Sequence, residues 1–215
     1  MANITTPIPE KTIERLSEYR RTLLKCHAQG ITHIFSHVLA GMHGITAVQV
    51  RRDLMLIGFS SDTKKGYDVK VLIDFIDSIL YREQPINMAI IGMGHLGQAV
   101  TKYFNGKGLK LRITAAFDID PNKVGHVVDN IPCYHIDEFE ERVDELNISI
   151  VIVSSPTSVA STLVLPIINA GIKGVLNFTS APLNFPPGIV VENYDITTLL
   201  EKVAYFVKVA EESNN

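Results

Sequence analysis

Apolar residues in the first third of the chain recur mainly with the period of an α-helix. They return every three or four residues over Glu10–Gln29, and Gly30 supplies a C-terminal stop. The same spacing predicts three further helices: one capped by Ser36 and running to Met42, one capped by Thr46 and running to about Ile57, and one over about Val69–Tyr81. Helix, short helix, glycine-containing turn and helix in this order predict a helix-turn-helix.

The helix that follows Thr46 has two chemically different faces. At about 100° per residue, one side of this helix carries Ala47, Val50, Leu54 and Ile57. Val48, Gln49 and Arg52 fall roughly opposite, and Arg51 lies on the flank. Arginine can bridge the O6 and N7 atoms of guanine, and glutamine can pair with adenine. The pattern therefore fits a recognition helix in the major groove, although a solvated amphipathic helix has the same pattern.

The segment Phe59–Val69 places polar, glycine-containing sequence between short apolar ends, which predicts a small hairpin. Directly after a recognition helix, such a hairpin is typical of the wing of a winged helix. Lys64 and Lys65 at its tip would then meet phosphates or the minor groove. A solvated turn is the alternative.

From Ile86 onward, short apolar runs alternate with helical stretches. Strands are predicted at Ile86–Ile91, Leu111–Phe117, Ile148–Val153, Gly174–Phe178 and Gly188–Glu192. Helices are predicted at Gln98–Phe104, Ile136–Leu146 and Val159–Ala170. The alternation predicts a mostly parallel sheet with helices on both faces. A last amphipathic helix, from Asp195 to about Glu211, follows the sheet and either packs locally or reaches a partner subunit.

The first of these strands runs directly into a G-x-G-x-x-G sequence formed by Gly92, Met93, Gly94, His95, Leu96 and Gly97. A strand before it and a helix after it are the context that makes this motif a dinucleotide-binding one. Asp118 ends the next strand and would accept hydrogen bonds from the adenosine ribose. Its charge would repel a 2′-phosphate, which favours NAD(H) over NADP(H). The alternative is a sheet of the same type that binds another nucleotide, CoA or nothing.

Two more loops leave predicted strands at the edge where such sheets bind ligands. Ser154, Ser155 and Pro156 form one loop, and the other spans residues 179–182. A dehydrogenase also needs a substrate-binding region and a proton donor or acceptor, but only a short tail follows the nucleotide domain. We therefore predict that the chain is not an enzyme and that the cofactor is read rather than consumed.

The histidines do not change this interpretation. Four of them cluster near the N-terminus, but only His33 and His37 have the i, i+4 spacing of helical metal ligands, so no metal site is predicted. Cys26 and Cys133 are far apart and outside any CxxC pattern, which predicts neither a disulfide nor a zinc site.

Composition and charge refine the picture. The chain has 215 residues, of which 46% are hydrophobic and 20% charged, as expected for packed domains. The first 83 residues carry 11 Lys and Arg against 9 Asp and Glu, whereas the remainder carries 9 against 14, so the first part is the better partner for a polyanion. No secretory signal and no apolar stretch of about 20 residues is visible, which predicts a cytoplasmic protein without a membrane partner.

Taken together, these motifs resemble the redox-sensing transcriptional repressor Rex family. The resemblance covers about residues 8–207 and is carried by IPEKTIERLSEYRRTLL from Ile8, GITAVQVRRD from Gly44, KKGYDV from Lys64, IIGMGHLG from Ile90, AAFDIDP from Ala115, GIKGVLNF from Gly171 and VENYD from Val191. It implies a winged helix-turn-helix, then a Rossmann-type mostly parallel sheet, then a C-terminal helix exchanged between the subunits of a homodimer. The corresponding domains are residues 1–83, 84–194 and 195–215.

The resemblance also implies a function. Such a repressor binds double-stranded operator DNA when NAD⁺ dominates and releases it when NADH binds. By position, Arg21, Tyr103 and Asp195 match a family triad that couples cofactor state to domain closure, and Arg51, Arg52 and Lys65 match its basic DNA-binding residues.

From these observations we expect two sets of site residues. The cofactor set is the six residues of the glycine motif with Tyr103, Asp118, Ser155 and Asp195, and the DNA set is Thr46, Gln49, Arg51, Arg52, Lys64 and Lys65. Asp195 would sense the positive nicotinamide of NAD⁺ with Arg21 and Tyr103 nearby. The alternatives are a small NAD-dependent dehydrogenase with a helical extension, and a CoA- or nucleotide-binding regulator.

Overall fold

A computed structural model describes residues 7–60, 65–104 and 110–213. The chain divides into two compact units, Met1–Gln84 and Pro85–Asn215. No helix in the described ranges is both long and apolar enough to cross a bilayer.

The first unit is helical with a two-stranded sheet. Its elements are α1 (Glu10–Ala28), β1 (His33–Ile34), α2 (Ser36–His43), α3 (Ala47–Leu56), β2 (Tyr67–Asp68) and α4 (Val69–Leu80). α1 packs against α4, and α2 packs against α3. The apolar face predicted for α3 is confirmed, because Val50, Leu54 and Ile57 are fully buried in the core of this unit.

The two predicted helix caps have different outcomes. Thr46 caps α3, since its side chain accepts a hydrogen bond from the backbone N–H of Gln49 at 3.2 Å. The prediction of Ser36 as a cap is wrong: Phe35 occupies the N-cap position and Ser36 is the first residue of α2. The Ser36 hydroxyl instead accepts a hydrogen bond from Arg51 of α3 at 3.1 Å, so it serves the contact between helices.

The predicted hairpin over Phe59–Val69 is wrong in its pairing. β2 pairs antiparallel with β1, which precedes α2, and Phe59 is not in a strand. Phe59 turns inward and packs on Tyr67 and Phe75 at ring-centroid distances of 6.0 and 5.1 Å. Gly66 allows the close approach, because a Cβ there would lie 2.7 Å from the Ile34 carbonyl oxygen. Of the two residues predicted at its tip, Lys64 lies outside the described residues.

The second unit is an α/β domain. Its strands are β3 (Ile86–Ile91), β4 (Leu111–Asp118), β5 (Val127–Val128), β6 (Ile131–His135), β7 (Ile148–Val153), β8 (Gly174–Asn177) and β9 (Val190–Asn193). Its helices are α5 (His95–Phe104), α6 (Phe139–Glu145), α7 (Thr157–Ala160), α8 (Val164–Asn169) and α9 (Ile196–Ser213), with short 3₁₀ turns at Ile136–Glu138 and Ser161–Leu163.

The sheet has the strand order β5-β6-β4-β3-β7-β8-β9, and every neighbouring pair is parallel except β5 and β6. Without β5, this is the doubly wound order of dinucleotide-binding domains, with its reversal between β3 and β7. The central strand β3 is buried on both faces. Ala89 and Ile91 of β3 point into one apolar core, and Ile90 points into another, as alternation along a central strand requires.

Candidate cofactor site and DNA-facing surface

The glycine motif lies at the reversal of strand order, where β3 and β7 end side by side. Gly92 has φ +97°, and a Cβ there would lie 2.8 Å from the backbone of Ser154 and Ser155. Gly97 in α5 approaches even closer, because a Cβ there would lie 2.1 Å from the Gly92 carbonyl oxygen. The Ser154 hydroxyl donates to that same oxygen at 2.8 Å and joins the two loops. The first and third glycines are thus required by packing.

The middle glycine has a different environment. No atom lies within 4 Å of the Cβ position of Gly94, which faces open space beside the N-terminus of α5. Ser155, at the end of β7, has a buried hydroxyl oxygen without a hydrogen-bond partner among the described residues. Open backbone at a helix N-terminus and an unsatisfied buried hydroxyl together fit a bound pyrophosphate. Residues in the motif therefore suit the dinucleotide that the sequence predicts.

The remaining motif residues divide between core and surface. Met93 is fully buried, and its backbone N–H donates to Asp118 at 2.8 Å. His95 is the exposed first residue of α5, and Leu96 is also exposed. Tyr103 lies near the other end of α5 with 61% of its surface exposed.

Asp118 ends β4 with a fully occupied carboxylate. One oxygen accepts from the backbone N–H groups of Ile119 and Asp120, and the other accepts from Met93 and from the Lys123 ammonium at 3.1 Å. Burial would raise the pKa of Asp118, but the hydrogen bonds from Asp120, Met93 and Lys123 outweigh burial and hold this pKa below its ordinary value. A ribose hydroxyl would have to displace one of these donors. Lys123 is the one to be displaced, because it is a side chain and the other three donors are backbone N–H groups.

A pocket of about 270 Å³ opens at the carboxyl ends of β8 and β9. Thr179, Ser180 and Asp195 line it, with neighbours from the loop that follows β8. Buried Asn177 holds this loop, because its side chain donates to the Ala181 carbonyl and accepts from Thr179. A hydrogen bond of 3.1 Å between the hydroxyls of Thr157 and Ser180 joins the start of α7 to the loop that follows β8.

Asp195 precedes α9 and caps it. Its carboxylate accepts from the Thr197 backbone N–H at 3.1 Å and from the Thr198 hydroxyl at 2.7 Å. Tyr103 and Asp195 belong to the second unit and exposed Arg21 belongs to the first, so the three predicted switch residues do not form a cluster within one unit.

The outer face of α3 carries the predicted DNA-contacting residues. Arg51 and Arg52 are exposed, and Gln49 is partly buried. The Gln49 amide donates to Asp53 at 2.9 Å, so a contact between Gln49 and a base would compete with this hydrogen bond. Lys65, one of the two residues predicted at the wing tip, is exposed.

Sequence reasoning missed the buried carboxylate that fixes α3. Asp53 is only 2% exposed and accepts two hydrogen bonds of 2.7 Å from Arg15 and one of 2.8 Å from Tyr19, both on α1. Burial would raise the pKa of Asp53, but the hydrogen bonds from Arg15, Tyr19 and Gln49 outweigh it and lower this pKa. A second pair, Arg20 with Asp77, joins α1 to α4. The i, i+4 spacing of Gln49 and Asp53 was the available signal.

Replacing Asp53 by alanine is expected to lower the free energy of unfolding of the first unit by about 3 kcal/mol, because Arg15 and Tyr19 lose their acceptor. Urea denaturation measures this. Since the pKa of Asp53 is lowered on folding, its contribution is complete above the ordinary pKa of 3.8 and is lost as the pH falls below that value. The difference in unfolding free energy between wild type and variant should therefore shrink as the pH falls below 3.8.

The matched control is Asp74→Ala, which breaks an exposed ion pair with Lys70 on α4. That change should cost less than about 0.5 kcal/mol. Equal destabilisation by the two variants would show that the Asp53 network does not fix α3.

Within the described ranges, no group of three or more His, Cys, Asp or Glu residues could hold a metal ion. His43 instead packs edge-on against Tyr19, and its ring nitrogen lies 3.0 Å from the Thr22 hydroxyl. Cys26 and Cys133 are both buried and free.

Comparisons with known proteins agree with this geometry. The family model described as "Putative DNA-binding protein N-terminus" matches residues 7–54, and the model described as "CoA binding domain" matches residues 83–181. The redox-sensing transcriptional repressor Rex of Listeria welshimeri is 36% identical over 208 residues, 97% of each chain. Its namesake from Geobacillus kaustophilus is also 36% identical over 97% of each chain.

Solved structures give the same result. The chain is similar to RSP, a Rex-family repressor, in its complex with β-NAD⁺ and operator DNA, with a TM-score of 0.89, 28% identity and coverage of 97% of this chain and 96% of that one. The complex of RSP with β-NADH gives a TM-score of 0.83 with 28% identity, over 97% of this chain and 98% of that one.

A helical DNA-binding region joined to a dinucleotide-type sheet and a C-terminal helix defines a class of protein: a transcription regulator, not an enzyme. Within that class, the chain belongs to the Rex family of redox-sensing transcriptional repressors.

Proposed function

We propose that this chain works in the cytoplasm as a homodimeric repressor that holds operator DNA when NAD⁺ is bound and releases it when NADH is bound. The observation that carries the proposal is a single similarity spanning 97% of the chain, which includes both the helix-turn-helix and the glycine motif. The first unit contacts DNA, residues 84–194 bind the cofactor, and residues 195–215 join the subunits.

The cofactor site consists of residues that the second unit brings to the carboxyl edge of its sheet. The backbone of Gly94, His95 and Leu96 at the start of α5 faces the pyrophosphate, and the unsatisfied Ser155 hydroxyl donates to it. Asp118 accepts a hydrogen bond from the adenosine ribose, whose hydroxyl replaces the Lys123 ammonium as donor. The pocket with Asp195 accepts the nicotinamide end.

The DNA site is the outer face of α3 with the wing. Arg51 and Arg52 enter the major groove, and Thr46 places the first turn of the helix against the phosphate backbone. Lys64 and Lys65 contact phosphates beside it. The Asp53 network holds α3 on α1, so the arginines are presented from a fixed helix.

The dimer is supported by the chemistry of α9. This 18-residue helix has no buried residue, although Leu199, Val203 and Phe206 form an apolar stripe on one face with more than half of their surfaces exposed. A stripe of this kind needs a partner to exclude water. We propose that the partner is the second subunit, between whose domains α9 inserts.

The proposed switch depends on the charge of Asp195. Asparagine there keeps a good helix cap but removes the charge, so Asp195→Asn is expected to raise the NADH concentration that releases DNA about tenfold while NADH still binds. The measurement is anisotropy of a labelled operator duplex during NADH titration, with NADH binding followed by calorimetry. Release by the variant at the wild-type NADH concentration would overturn the charge-sensing step.

One observation favours a second candidate ligand. The model matching residues 83–181 is described by CoA binding, and CoA also carries an adenosine pyrophosphate. If CoA competes for the cofactor site and NADH does not, the site binds CoA.

A further inference from the structure

The outer face of α3 is not purely polar. Val48 is 65% exposed and Met55 is 75% exposed, and both lie within about 60° of Arg52 around the helix. The opposite face is already complete, because Val50 and Leu54 fill the core of the first unit. Most of the surface of both residues is therefore free of contacts within their own unit.

Single exposed apolar residues are common on protein surfaces, but these two flank a cationic side chain on one narrow face. A ligand that satisfies this face must offer negative groups to Arg52 and apolar groups to Val48 and Met55. The major groove of DNA offers both: phosphates and guanine acceptors for arginine, and the 5-methyl group of thymine for an apolar side chain.

We propose that Val48 and Met55 contact thymine methyl groups and are specificity-determining residues of this repressor. The inference rests on the proposed DNA-binding function and goes beyond it by assigning base preference to two uncharged residues. Seven residues separate them, so their contacts lie about 10 Å apart along the helix and reach different bases.

The proposal is tested by removing only the methyl group. A duplex is first selected from a randomised inverted-repeat pool by the full-length protein with NAD⁺. Each thymine is then replaced in both half-sites by deoxyuridine, which pairs identically but lacks the methyl. We expect wild-type binding to weaken about fourfold per lost contact at the contacted thymines and not at the others.

The variants decide which side chain makes each contact. At one of the sensitive thymines, replacement by deoxyuridine should no longer weaken binding of the Met55→Ala variant. The same should hold at a different thymine for the Val48→Ala variant. Val71→Ala is the matched control, since Val71 is 55% exposed but lies on α4, and it should keep the full wild-type pattern. No charge changes in any variant, so the salt dependence of binding should be the same for all.

Each outcome is decisive. The assignment is overturned if no deoxyuridine replacement weakens binding of the wild type, or if both α3 variants respond to the replacements as the wild type does. Either result leaves the repressor function intact. Failure to select any duplex, with or without cofactor, overturns the proposed DNA-binding function and this inference with it.

Discussion

Replacing Gly97 by alanine is expected to weaken NADH binding by about 100-fold or more. The added Cβ would lie 2.1 Å from the Gly92 carbonyl oxygen, and neither backbone segment can move without opening the junction between β3 and α5. Separating them by enough to relieve the overlap costs roughly 3 kcal/mol and turns the helix N-terminus away from the phosphates. Calorimetric titration of NADH into wild type and variant measures the loss.

Two other glycines separate this effect from a general one. Gly94→Ala meets no atom within 4 Å, so it should leave the unfolding free energy unchanged but weaken NADH binding, because the methyl enters the space proposed for the pyrophosphate. Gly41→Ala also meets nothing and lies in α2, so it should leave NADH binding at the wild-type value. Wild-type NADH affinity in Gly97→Ala would contradict the assignment of this loop.

Replacing Phe206 by glutamate is expected to convert the proposed dimer into a monomer. Phe206 is central in the apolar stripe of α9, between Val203 and Ala210. Burying a carboxylate there costs about 3 kcal/mol per subunit and acts twice in a symmetric dimer, which raises the dimer dissociation constant by about four orders of magnitude. Sedimentation velocity over a range of protein concentrations measures this.

Lys208→Glu introduces the same side chain on the opposite, polar side of α9, where Lys208 pairs with Glu212 at 3.7 Å. That variant should remain as dimeric as wild type. A Phe206→Glu protein that sediments like wild type would show that the stripe of α9 does not hold the subunits together.

The helices and the central strands follow from periodicity because local pattern and burial agree there. β3 and β4 were predicted within a residue of their observed ends, since a continuous apolar run suits a strand buried on both faces. The β5–β6 hairpin was missed because Pro132 interrupts the apolar run, although Asp129 and Asn130 supply the positive φ angles of a tight turn.

The local pattern of apolar residues does not predict which distant segments pair with each other. Nothing in the residues near Tyr67 indicates that β2 pairs with β1. Phe59, which was predicted to lie in the hairpin, is instead buried against Phe75. The same limit applies to the site. The glycine motif has a fixed spacing and was recognised, whereas Asp53 and its partner Arg15 are 38 residues apart and meet only through the fold.

Lys123 illustrates a third case. It lies five residues from Asp118 and neutralises the carboxylate that was predicted to exclude a 2′-phosphate. The position of Asp118 at the end of a strand indicated its proposed role, but its ion pair with Lys123 is seen only in the structure.

In the proposed function, NAD⁺ and NADH set opposite DNA-binding states of one protein. Anisotropy of a labelled, A·T-rich inverted-repeat duplex, titrated with protein alone, with NAD⁺ and with NADH, tests it most directly. We expect tight binding that is lost specifically with NADH. The same affinity with NAD⁺ and NADH, or no binding to this duplex or to a pool of genomic fragments under any of the three conditions, would contradict it.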